Sequence, residues 1–198
     1  MNKLFNLCFI IPFIMHVILT YYSMNHIKNR NTYKKTPLRD ILHDNLEDLS
    51  DYKYIVDIVA LLFFLPLLIS NKRYDILSNF FKLFSVFTGL RIITSVVTEL
   101  PKSDKHCSIK LRGYFPYVRG HCFDKIFSGH TTFTLLSILT ALKFNLIKKS
   151  SFGIMLFLQI LYAIFIVLTK CHYTVDVLLA YLIVVPIYLL INDMNIFL

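Results

Sequence analysis

The chain has 198 residues, of which 56% are hydrophobic, 17% are charged and only five are glycine. That is too little charge for a soluble domain of this length, and long apolar stretches alternate with short charged ones as successive bilayer crossings require. The net charge of +9 does not point to nucleic acid, because the basic residues sit in joints between apolar segments, at the depth of phospholipid headgroups, rather than on one clustered face.

Six apolar segments read as spanning helices, at about residues 4–22, 54–70, 76–97, 131–147, 152–168 and 174–191. Several lie near the short end of the roughly 17–25 residues a span needs. The first could be a signal peptide with Lys3 as its charged start. The residues that follow, Tyr21-Tyr22-Ser23-Met24-Asn25, offer no small-x-small cleavage site, so it reads as a retained span. The third carries Lys82 and Arg91, and Pro12, Pro66 and Pro186 fall inside runs, where neighbouring helices tolerate them. No internal repeat, low-complexity tract or soluble accessory domain is visible. The expected fold is an all-α membrane protein, a single bundle of six transmembrane helices over residues 1–198.

Six crossings put both termini on one side and the loops 23–53, 98–129 and 169–173 on the other. The short joints of the terminal side carry Lys72, Arg73, Lys143, Lys148 and Lys149 against one acid, Asp75, which suits the cytosol. The long loops hold more Lys and Arg in total, including Lys34, Lys35, Arg112 and Arg119, but charges in long loops count less and a phosphate-handling face has its own use for cations.

Two clusters on the long-loop side carry chemistry. One runs Cys122-Phe123-Asp124-Lys125-Ile126-Phe127-Ser128-Gly129-His130-Thr131 and ends where the fourth span begins; the other is His172-Tyr173-Thr174-Val175-Asp176 at the start of the sixth. Taken alone, Ser128-Gly129 is an ordinary helix N-cap, His172 an interfacial histidine and Asp176 a structural acid. Together they say more. Asp176 is the only acid of the last apolar run, and an ionisable residue inside a span is costly and reads as functional. His172 and Asp176 are four apart, so on a helix they share a face, and such a carboxylate fixes the imidazole tautomer. His130 stands at a helix start, where free N–H groups and the helix dipole favour a phosphate. Two histidines facing one phosphate supply a nucleophile and a general acid. Arg91, on the half of its span nearer this face, fits a bidentate clamp on lipid phosphate better than a snorkelling role; Lys82, nearer the other interface, reads as a snorkeller.

Phe127-Ser128-Gly129-His130-Thr131 and His172-Tyr173-Thr174-Val175-Asp176-Val177-Leu178-Leu179-Ala180-Tyr181 resemble the two signature motifs of the sphingomyelin synthase family, within the type-2 phosphatidic acid phosphatase-like superfamily. Leu90-Arg91-Ile92-Ile93-Thr94, with Val97-Thr98-Glu99-Leu100-Pro101, is similar to that family's arginine-containing third-helix motif, and Thr36-Pro37-Leu38-Arg39-Asp40 to its proline-rich first-loop motif. The resemblance covers about residues 37–181. The chain departs from the family at Phe123, where glycine follows the motif cysteine, and at Arg39, where a second proline is expected.

The resemblance implies a ceramide cholinephosphotransferase-like enzyme working through a phosphohistidine. His172 attacks the donor phosphorus, Asp176 holds and polarises it, and His130 protonates the departing diacylglycerol oxygen, then deprotonates the acceptor hydroxyl. Arg91, Ser128, Gly129 and Tyr173 are the expected substrate-binding residues. The residues found demand no metal and no cofactor. The implied partners are a glycerophospholipid donor and a ceramide or diacylglycerol acceptor, in the Golgi or plasma membrane with the site luminal or extracellular. A lipid phosphate phosphatase is the first rival, although its relatives carry a further Lys/Arg-Pro motif and an arginine at the start of the last motif. Other headgroup exchangers are a second alternative: inositol phosphorylceramide or ceramide phosphoethanolamine synthases, or a phosphatidylcholine:diacylglycerol exchanger. The retained His130, His172 and Asp176 argue against a non-enzymatic lipid transporter.

Four cysteines divide by place. Cys8 reads as a small apolar residue, and Cys171 abuts His172. Cys107 and Cys122 flank the central loop on the face assigned to the lumen, where a disulfide would persist. Each follows a histidine, His106 and His121, but adjacent His-Cys pairs fit zinc spacing poorly.

Overall fold

The computed structural model describes residues 36–98, 100, 101, 103 and 126–192, together with Ile10, Ile11, Ile14, Met15, Val17, Ile18 and Tyr21 of the first apolar run. Those seven positions are helical, and among the described residues there is no strand. The short helix α1 (Ile41–Asn45) and a 3-10 turn (Ser50–Tyr52) lead into α2 (Lys53–Ile69). Then come α3 (Arg73–Val97), α4 (Gly129–Lys143), α5 (Lys149–Leu168) and α6 (Thr174–Asn192). The protein is an all-α, multi-pass membrane protein. Four helical stretches, Ser50–Ile69, Arg73–Ser95, Lys149–Leu168 and Thr174–Asn192, are long and apolar enough to cross a bilayer. The candidate bridge cysteines Cys107 and Cys122, and Pro12, lie outside the described residues; Cys171 Sγ accepts from Thr169 Oγ1 at 3.4 Å.

The fourth span ends earlier than its apolar run. Helix stops at Lys143, and Asn145 turns left-handed at φ 54°. Its N–H and that of Leu146 reach back to the carbonyls of Leu142 and Ala141, at 3.0 and 2.8 Å. This is a Schellman ending, so Leu146 and Ile147 belong to the turn and not the helix. Fifteen residues make only about 22 Å, short of a hydrocarbon core of about 30 Å. Position explains it: α4 is the central post, packed by α2, α3, α5 and α6.

Its composition suits that place. Thr131, Thr132, Thr134, Ser137 and Thr140 are all buried, and small side chains let neighbouring helices approach closely. Several of the hydroxyls bond back into the same helix, such as Thr132 to Ser128 O (2.8 Å) and Ser137 to Phe133 O (2.8 Å). Gln159, also buried, donates to Thr134 and accepts from Tyr181, which joins α4, α5 and α6 by polar contacts. Around this post a phenylalanine cluster fixes α2 and α3: Phe64, Phe80 and Phe133 lie 4.9–5.3 Å apart between ring centroids.

The outer helices turn large apolar side chains outward, among them Leu61, Leu62, Ile69, Ile154, Phe157, Leu178, Leu182 and Leu190. In water so wide an apolar surface would drive association; in a bilayer it is the required lining. Pro66 and Pro186 are carried inside continuous helices. The first apolar run packs against α3, where Met15 Cε lies 3.1 Å from the place a β-carbon on Gly89 would take.

Candidate functional site

The start of α4, the start of α6 and the first turns of α2 meet at one end of the bundle, and the last third of α3 joins them. At α4 the sequence Phe127-Ser128-Gly129-His130 makes its own helix start. Ser128 is the N-cap, and its Oγ accepts from Thr131 N at 3.2 Å and from Thr131 Oγ1 at 3.0 Å. Ser128 is fully buried, and its own N–H donates to the carbonyl of Asp176 at 3.0 Å. A single main-chain bond therefore ties the two motifs together.

At Gly129 the side chain of Arg91, from α3, comes close. A β-carbon there would stand 2.6 Å from Arg91 Nη1 and 3.1 Å from its Cζ. The Arg91 guanidinium thus lies against the first turn of α4, and the residue is buried, at 9% exposure. A buried guanidinium beside a helix N-terminus combines a full positive charge with partial ones, the combination that holds a phosphate. The chain is led into this turn by Thr94 and Ser95 of α3, whose hydroxyls both donate to Ile126 O, at 3.0 and 3.3 Å.

The two histidines face one another, with ring centroids 6.3 Å apart at 71°. His172 Nδ1 is 3.5 Å from Asp176 Oδ2, an ion-pair distance somewhat longer than a hydrogen bond. The route to this contact differs from the expected shared helix face. His172 lies before α6, which starts at Thr174. Asp176 instead reaches back over the helix start, where its Oδ2 also accepts from Tyr173 N at 3.0 Å. That is the backward half of a capping box, so one carboxylate closes the helix end and orients the imidazole.

His130 has a carboxylate of its own. Its Nε2 lies 3.0 Å from Oδ1 of Asp57, in the first turns of α2. Asp57 lies near the start of an apolar run, so the rule that singles out Asp176 as an acid in such a run applies to it as well. The two pairs differ in surroundings. His172 and Asp176 have side-chain exposures of 7% and 0%, against 33% and 74% for His130 and Asp57.

Tyr173 is buried, and its hydroxyl donates to Pro101 O and accepts from Leu38 N, both at 3.1 Å. Ser128 and Tyr173 therefore hold the two motifs in shape, while Arg91 and Gly129 face each other at the α4 start. Nearby, His43 sets its Nε2 3.0 Å from Val167 O and 3.2 Å from His172 O. Burial and the charge of Lys170 push the His43 imidazole below its usual range, which keeps it neutral against those carbonyls.

Residues 121–193 match the family described as PAP2 superfamily C-terminal. That match spans both histidine motifs and supports the superfamily level of the resemblance; it does not reach as far as the sphingomyelin synthases. No curated protein matches the chain.

Proposed function

We propose that this protein is a lipid headgroup transferase that moves a phosphocholine-type group from a glycerophospholipid to ceramide. The observation that carries the reading is the facing pair of histidines, each with its own carboxylate, beside a guanidinium laid on a helix N-terminus. With Nδ1 turned to Asp176, His172 attacks through Nε2. A bond forms from Nε2 to the donor phosphorus, and the bond from phosphorus to the diacylglycerol oxygen breaks. His130 gives that oxygen its proton, and diacylglycerol leaves. The ceramide hydroxyl then returns a proton to His130 as its oxygen takes the phosphoryl group from His172, which restores both histidines. Arg91 and the N–H groups at Gly129 hold the phosphate oxygens as charge builds on them.

The match to the PAP2 superfamily supports phosphoryl chemistry on lipids in general. It is equally consistent with water as acceptor, which would make the protein a lipid phosphate phosphatase. On the sequence side, the Tyr173-Thr174 pair favours the synthase reading. The basic short joints support a cytosolic terminal side, which would turn the site to the lumen or the cell exterior, in the Golgi or plasma membrane.

The test is direct. The chain is expressed in cells lacking sphingomyelin synthesis, labelled ceramide is supplied, and products are identified by mass spectrometry. Labelled sphingomyelin or a related phosphosphingolipid is expected. Unmodified ceramide with free headgroup phosphate would replace transfer with hydrolysis, and unmodified ceramide with the headgroup of an added headgroup-labelled donor appearing on a second glycerolipid would change the acceptor.

A further inference from the structure

Helix α6 begins at Thr174, so the residue in its capping position is Tyr173. A tyrosine has no short side-chain oxygen with which to take up the N–H groups of the first turn, the service that Ser, Thr, Asp or Asn gives at other helix starts. The missing acceptor comes from far away in sequence. Asp40 Oδ2 accepts from Thr174 N at 2.7 Å, and its Oδ1 accepts from Thr174 Oγ1 at 2.7 Å. The same Oδ1 caps α1, taking Leu42 N at 3.1 Å and His43 N at 3.3 Å. One carboxylate thus closes two helix starts, and it is itself buried.

Around it the first-loop motif grips the segment that carries His172. Leu38 N donates to the Tyr173 hydroxyl, His43 Nε2 sits on the carbonyl of His172, and Lys170 Nζ reaches His43 O at 3.1 Å. Lys170 occupies the left-handed region at φ 58°, a conformation that costs a non-glycine residue roughly 1–2 kcal/mol and persists where surrounding contacts fix it. Burial works against the charge of Asp40, but the Thr174 hydroxyl and amide, the His43 amide and the nearby His43 ring hold its carboxyl below the usual carboxylate value. The clamp is therefore ionised at physiological pH.

We propose that Asp40 is a positioning residue for the nucleophile: by clamping the first turn of α6 through Thr174, it fixes His172 at the distance from Asp176 and His130 that transfer requires. The proposal rests on the reading of His172 as the attacking histidine. The hydrogen bonds of Asp40 go to Thr174 and to the start of α1 rather than to His172, His130 or Asp176, so its effect passes through Thr174 and the turn behind it. A displacement of about 1 Å at a reacting group can cost on the order of 10²-fold in rate.

The experiment uses the full chain in lipid nanodiscs, with Asp40→Ala, Thr174→Val, Thr174→Ser and the Asp40→Ala/Thr174→Val double variant. For Asp40→Ala, kcat should fall roughly 10- to 10²-fold while KM for the donor lipid stays near wild type. Thr174→Val should fall less, Thr174→Ser should keep near wild-type kcat because it retains the hydroxyl, and the double variant should be no slower than Asp40→Ala. Amide hydrogen exchange over residues 171–177 should quicken in Asp40→Ala and in Thr174→Val. Unchanged exchange overturns the clamp. Quickened exchange with kcat unaltered, or a loss that lies in KM, overturns its role in positioning. If Asp40→Ala does not fold, Thr174→Val against Thr174→Ser decides by the same readouts. If the wild-type chain transfers no headgroup, the functional reading falls, and the exchange data alone still decide whether Asp40 holds α6.

Discussion

The two histidines of the site live in opposite surroundings. His172 is enclosed: Asp176 stands behind it, His43 holds its carbonyl, and Asp40 and Tyr173 pin the turn on which it rides. His130 sits on the first turn of α4, a third exposed, and its partner Asp57 is largely open. The contrast matches what the two steps proposed above would ask. A nucleophile that becomes covalently phosphorylated gains from one fixed tautomer and from exclusion of water. A group that passes a proton first to a leaving lipid and then from an arriving one has to be reached from outside.

That contrast can be broken or sharpened by substitution. The largest effect is expected at the enclosed end. His172→Ala should cut turnover by at least about 10²-fold and abolish the acid-labile phosphohistidine, read by trapping with a headgroup-labelled donor. His130→Ala should lose as much with a natural donor, yet still form the labelled enzyme from an activated donor whose phenolate leaving group needs no proton. Equal loss in both variants with the activated donor would erase the division of roles.

A smaller effect is expected at the α4 start. Gly129→Ala sets a β-carbon against the Arg91 guanidinium. The guanidinium, at the end of a flexible side chain, gives way sooner than the helix does. Thermal stability should move little, while kcat/KM for the donor should fall roughly 10-fold, the scale of a lost charged hydrogen bond. Loss of folded protein with unchanged kcat/KM in what remains would make Gly129 a packing residue alone.

The smallest effect is expected at Asp57. An ion pair this exposed contributes about 0–1 kcal/mol, so Asp57→Asn should slow turnover about fivefold or less. Asp176→Asn, at the buried pair, should slow it more than tenfold beyond that, as loss of an orienting carboxylate does. Comparable losses at the two aspartates would mean that the open pair is enclosed in the working membrane state.

What the sequence made legible, and what it hid, follow from distance along the chain. Apolar runs are local, so five of the expected spans coincide with α2 to α6 to within a few residues. The exception, the end of the fourth, depends on Asn145 turning left-handed. The motifs Ser128-Gly129-His130 and His172 to Asp176 are local too, and the structure brings their histidines together. Asp40 is the opposite case. Its partner Thr174 is 134 positions away, and nothing in the sequence around it marks the carboxylate as a cap for a remote helix. Asp57 was legible in principle, as an acid near the start of an apolar run. Its pairing with His130, 73 positions on, was not.

The hydroxyls of Thr94 and Ser95 converge on the carbonyl of Ile126, and thus join the two ends of the segment between them into a closed neck. Closing a longer segment across the same neck costs entropy only as the logarithm of its length. The connection from α3 to α4 can therefore be lengthened, shortened or exchanged while the histidines keep their places. Such a neck separates what the protein can vary from what it must keep: the segment between α3 and α4 can change in length and sequence, and the histidine pair carried by α4 and the start of α6 need not be rebuilt each time.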